Sequence, residues 1–206
     1  MRQYLSKYFY RFSPSITNLI FDKRISGEDK EENQISVLEG LNLNDLEVKI
    51  KVYEDRVIGW FLDFAKKLSN EERDAGFIVL HISIAYIEGN QQFREGKLSK
   101  GTSTANFIKG VRRIFDKAHV PEEILKKYYQ QIRCGLFHDG ITKRDVSISG
   151  EYFDPLNYDN KKILINPHKF LSKVIEDFRG YIEELKFNQE SRANFEKRWN
   201  LEIKNS

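Results

Sequence analysis

One cysteine in 206 residues, Cys134, leaves no partner for an internal disulfide and excludes any zinc site built from several thiolates. A reducing, cytoplasmic compartment is therefore expected. The chain also lacks long apolar runs: no stretch approaches the roughly 18 unbroken apolar residues of a membrane span. The opening MRQYLSKYFYRFSPS has no signal-peptide apolar core, so neither secretion nor a membrane location is expected. Charge of one sign is scarce too. A net charge of +3 and a pI of about 8.8 give a field too weak to mark a nucleic-acid binder by itself. Any RNA contact would have to be local, at Arg112-Arg113-Lys117, Lys126-Lys127 or Lys143-Arg144, and such runs are usually solvated faces. Internal repeats and low-complexity tracts are absent. The histidines His81, His119 and His168 read as structural, with no spacing that suggests a metal, so neither metal nor cofactor is expected.

What is present suits a folded domain: 40% hydrophobic, 13% aromatic and 32% charged residues argue against disorder. Residues 1–44 read as an irregular extension with an aromatic cluster, Tyr4, Tyr8, Phe9, Tyr10 and Phe12, followed by a mobile charged loop, GEDKEEN. Residues 45–206 read as a single helical domain. Its first helix, capped by Asn44, carries Leu46, Ile50, Tyr53, Val57, Trp60, Phe64 and Leu68 on one stripe. A second is expected from Ser69 or Asn70 through FIVLHISIAYI to Gly89-Asn90, central and buried, before a polar loop to Thr102. Ser103 is the expected cap of a third helix with Phe107, Ile108, Val111, Phe115 and Ala118 inward. Pro121 opens a fourth, with Leu125, Tyr128, Tyr129, Ile132 and Leu136 on its inner face. Val146 and Ile148, then Ile163 to Ile165, predict a two-stranded hairpin. Asn166-Pro167 caps a fifth helix with Phe170, Val174, Phe178, Tyr181 and Leu185 inward, and a shorter sixth carries Phe195 and Trp199. The expected fold is all-α: an antiparallel bundle of about five to six helices with a small two-stranded β-hairpin after the fourth.

The chemistry sits at the end of that fourth helix, in Arg133-Cys134-Gly135-Leu136-Phe137-His138-Asp139-Gly140. Arginine is a permanent bidentate phosphate donor, and histidine moves a proton near neutral pH. Arg133 and His138 thus have the makings of a phosphodiester-active pair. On a straight helix, however, positions five apart differ by about 140° and about 7.5 Å. Either the helix bends between Phe137 and Asp139, or two chains contribute their pairs to one cleft, which predicts a homodimer. Cys134 and His138 share a face and would permit a thiolate–imidazole pair, although a lone helical cysteine is more often a small buried hydrophobe. Asp139 would stop the helix or hold His138. Tyr128 and Tyr129 sit where they could stack on RNA bases one turn before the site, with core packing the alternative. Independently of any nuclease, His138 could simply meet the helix C-terminal dipole while Arg133 pairs with an acidic neighbour.

RCGLFHDG on the fourth helix of an all-α bundle resembles the Arg-x4-His signature of the HEPN superfamily. The resemblance covers residues 45 to 186 and implies a metal-independent endoribonuclease, of the kind found in toxin–antitoxin and phage-defence systems, with its site at a dimer interface. It implies that Arg133 contacts the scissile phosphate and that His138 transfers the proton during attack by the ribose 2′-hydroxyl. RNA and an antitoxin protein are the partners it implies. Cys134 stands where members often place a polar residue, and Gly140 where others carry a tyrosine that an antitoxin modifies, so that modification is not expected. A non-catalytic member that binds RNA or protein is the alternative reading. A plain partner-binding bundle outside the superfamily is the third.

Overall fold

Asp45, one residue beyond the expected cap, starts the first helix by accepting the Glu47 N–H at 2.9 Å. This helix, α1 (Leu46–Val57), passes into a π-helical turn (Ile58–Leu62) and then α2 (Asp63–Glu71). A π turn takes up an extra residue, so the buried stripe changes phase across it. Ile50, Tyr53 and Val57 are buried as their spacing predicts, but beyond the turn Leu62 and Ala65 are inside while Phe64 is 58% exposed. Periodicity read as an unbroken helix could not anticipate that shift.

The computed structural model describes residues 44–71, 75–134 and 145–204, and for 132–134 and 202–204 the backbone alone. The aromatic cluster and charged loop expected in residues 1–44 lie outside the described residues, Asn44 excepted. The chain divides into two compact units, Met1–Phe64 and Ala65–Ser206.

In the second unit the central element is α3 (Gly76–Glu95), against which α4 (Ser103–Ile114), α6 (Pro167–Glu184) and α7 (Gln189–Lys204) all pack. The predicted start at Ser69 or Asn70 is corrected: both residues belong to α2. The predicted end at Gly89-Asn90 is corrected as well. The helix runs on because Asn90, Gln91 and Phe93 are buried, and it stops at Gly96, whose φ of 63° is the left-handed cap position. Nor is α3 wholly buried, since Phe77 and Ile78 are 41% and 55% exposed.

Close approach of α3 and α4 is set by Gly110, where an added Cβ would stand 2.4 Å from Ile87 Cγ2 and 3.3 Å from its carbonyl oxygen. Gly110→Ala is expected to destabilise the chain by about 1–2 kcal/mol, because overpacking outweighs alanine's better helix propensity. Urea denaturation checks this; a neutral or stabilising result would mean that Ile87 yields freely. After α4, a single 3₁₀ turn (Asp116–Ala118) leads to α5 (Glu122–Cys134). Ser103 is the first residue of α4 and Thr102 its N-cap, which provides no side-chain cap bond.

The expected hairpin is corrected to a three-stranded sheet, β1 (Val146–Ile148), β2 (Leu156–Asp159) and β3 (Lys162–Ile165), in the order β1-β3-β2. β1 pairs parallel to β3, with Val146 opposite Ile163 and Ile148 opposite Ile165. The hairpin is β2–β3, pairing Asp159 with Lys162. Asn160 and Lys161 hold φ of 48° and 64°, as a tight two-residue hairpin turn requires. Asn166 then caps α6, accepting the His168 and Lys169 N–H groups, while its amide nitrogen donates to Gly150 and Tyr152 carbonyls. The five residues predicted inward on α6 are buried, as are Phe195 and Trp199 on an α7 longer than expected.

Candidate functional site

The helix that carries the motif is α5. Glu122 and Glu123 lie in its first turn, where carboxylates favour the dipole, and Arg112 and Lys126 pair with Glu122 at 3.1 and 3.0 Å. These exposed pairs contribute little. Burial of the inner face does more: Leu125, Tyr128 and Tyr129 are inside, and the Phe107 ring of α4 lies 5.8 Å from Tyr128 and 4.9 Å from Tyr129. Both tyrosines are thus core residues rather than open platforms for a base. Burial pushes the Tyr128 phenol well above its ordinary pKa, and its hydroxyl has no hydrogen-bond partner among the described residues.

Tyr129 differs in having a carboxylate partner. Its hydroxyl donates to Glu88 Oε2 at 2.5 Å, and Ser99 Oγ donates to Oε1 at 3.1 Å. Behind Ser99 stands Gln92, donating to its Oγ at 2.8 Å, and Gln92 in turn accepts from Arg198 Nε at 3.2 Å. Two donor chains therefore converge on one half-buried carboxylate of α3, and one starts on α5.

Arg133 and Cys134 occupy the last described turn of α5. Position 133 follows Tyr129 by four residues and so lies on the same helical face. His138 and Asp139, with the expected bend between Phe137 and Asp139 and the inward position of Leu136, lie outside the described residues, as do Lys143 and Arg144. The structure therefore places the arginine's helix and Tyr129 but not the pairing of Arg133 with His138. Glu88 had no signal in the sequence beyond its place at the polar end of an apolar run.

Sequence reasoning also missed a denser polar cluster. Asp177 of α6 accepts Arg113 Nε at 3.0 Å and Nη2 at 2.9 Å, Arg94 Nη2 at 3.5 Å, Asn90 at 3.3 Å and the Tyr86 hydroxyl at 3.4 Å. Arg94 also reaches Glu184 at 3.0 Å and lies 4.3 Å over the Tyr181 ring. Burial pulls the Arg113 guanidinium below its ordinary pKa, Asp177 works against that, and Arg94 adds to it. Burial likewise raises the Tyr181 phenol. With two guanidinium groups set against two carboxylates, the cluster is charge-balanced and reads as a brace. Its signal was the four-residue spacing of Tyr86, Asn90 and Arg94, visible only once α3 is extended past Gly89. Arg113, expected on a solvated basic face, points into this cluster.

Elsewhere, Ser69 Oγ lies 2.6 Å from His168 Nδ1 at the start of α6. An open cavity of about 420 Å³, lined by Val111, Phe115, Val120 and Leu125, has Arg112 and His119 among its walls. Among the described residues, no group of three or more histidine, cysteine, aspartate or glutamate side chains is placed to hold a metal, and no helix is long and apolar enough to cross a membrane. Comparison with known proteins returned nothing: no family model, no curated protein and no solved structure matches the chain.

Proposed function

We propose that this protein is a HEPN-like, metal-independent endoribonuclease, of toxin–antitoxin or phage-defence type, whose site combines Arg133 and His138 at a homodimer interface. The observation that carries the reading is the position of Arg133 in the last described turn of a helix with a buried inner face, five residues before His138. The family resemblance rests on those eight residues and their helical setting. In this reaction the ribose 2′-oxygen attacks phosphorus and His138 takes its proton. The P–O5′ bond breaks, the leaving oxygen gains a proton, and a 2′,3′-cyclic phosphate remains. Arg133 neutralises charge that builds on the non-bridging oxygens.

The full chain incubated with mixed RNA in excess EDTA should fragment it and leave cyclic-phosphate ends, and sedimentation should give the mass of a dimer. RNA that stays intact in every buffer removes the enzyme reading. The second reading, a non-catalytic RNA- or protein-binding module of the same fold, is favoured by Cys134 directly after the arginine and by Gly140 beyond the histidine. It predicts binding of labelled RNA or of a protein partner without cleavage.

A further inference from the structure

We propose that Glu88 and Tyr129 are positioning residues: their hydrogen bond is a latch that fixes the turn of α5 after Tyr129 and, with it, the backbone from which Arg133 acts. The catalytic part of this inference rests on the nuclease reading above. Here the turn before Arg133 is tied down by a 2.5 Å contact, a separation typical of a charge-assisted O–H···O⁻ bond.

The donor directions make the latch one-way. Arg198 donates to Gln92, Gln92 to Ser99 and Ser99 to Glu88, while the Tyr129 hydroxyl arrives from the other side. An ionised carboxylate accepts only, so it can serve as the common end of both chains. Tyr129 is 3% exposed, so the contact is made inside the core. The contact joins α5 to α3, the helix around which α4, α6 and α7 are assembled. Helical geometry carries the constraint forward: four residues, about 6 Å along the axis, separate Tyr129 from Arg133 on the same face. A phosphate-contacting group displaced by about 1 Å can lose on the order of a hundredfold in rate.

Tyr129→Phe keeps the ring in the core and removes only the hydroxyl; Glu88→Gln places an amide donor among the donors. Each is expected to lower kcat about tenfold or more while KM stays within about twofold, since the arginine is misplaced in the transition state and not removed. In an Arg133→Ala background, adding Tyr129→Phe should leave the residual rate unchanged, which a general loss of stability would not do. Wild-type kcat in Tyr129→Phe would overturn the proposal. Amide hydrogen exchange over residues 130–134 of the full chain gives a readout separate from activity. Faster exchange in both variants supports the latch even if wild-type protein leaves RNA intact, in which case only the nuclease reading fails. Unchanged exchange overturns the latch.

Discussion

Replacing His138 by alanine is expected to lower RNA cleavage in EDTA by roughly a thousandfold, the middle of the range for removing a positioned proton-transfer group. Arg133→Ala should lose on the order of a hundredfold to a thousandfold, as when a donor to a developing oxyanion is deleted. Lysine should not rescue it, because a point charge lacks the planar fork that meets two phosphate oxygens at once. Single-turnover cleavage of a short labelled RNA measures both. Equal rates in His138→Ala and wild type would remove this histidine from the mechanism. Mixing the two inactive chains tests the composite site further. If each centre takes arginine from one chain and histidine from the other, a mixed dimer contains one intact centre and regains activity. If both come from the same chain, it does not.

Asp177→Ala is expected to destabilise the fold on the order of 3 kcal/mol, far more than the loss of any exposed charge. Asp177 accepts from two guanidinium groups, an amide and a phenol, and its side chain is only 11% exposed. Its loss leaves Arg94 and Arg113 facing each other in a poorly solvated space, with Glu184 the remaining carboxylate partner among the described residues. The exposed pairs Lys173–Glu176 and Lys186–Glu183 provide the contrast, since such pairs are worth about 0–1 kcal/mol. Glu176→Ala should therefore scarcely move the denaturation midpoint. Replacing Arg113 and Asp177 together by apolar residues should cost far less than Asp177→Ala alone, because no unpaired charge is left behind. Urea denaturation of the full chain decides; Asp177→Ala within about 0.5 kcal/mol of wild type would show that solvent reaches the arginines readily.

Much of the architecture was legible along the chain because it depends on local periodicity and caps. The spacing of Phe170, Val174, Phe178, Tyr181 and Leu185 behind Asn166-Pro167 is enough to define α6, and the structure buries every one of them. Leu125, Tyr128 and Tyr129 were similarly readable as the inner face of α5. Legibility failed where a local signal was outweighed by a distant partner. Gly89 looked like a stop, yet the helix continues because Arg94 finds Asp177 and Glu184 on α6. The two-stranded reading left the stretch between Ile148 and Ile163 without a strand, yet Leu156–Asp159 form β2 and pair with β3, which also pairs with β1.

For the candidate site, the sequence by itself determined the residue types and their order: an arginine, a cysteine after it and a histidine five positions on. It also determined that one straight helix cannot aim both groups at the same phosphate, since helical pitch separates them. Only the tertiary structure decided what Tyr129 does. Its spacing suited either the core or a base-stacking platform, and the packing of Phe107 together with the Glu88 carboxylate assigns it to the core, with its hydroxyl engaged. Glu88 meets Tyr129 across 41 residues of sequence, a separation no periodicity encodes. The physical reason is general: helix faces follow from spacing within a few turns, whereas a hydrogen bond between helices exists only after the core has set their separation and register.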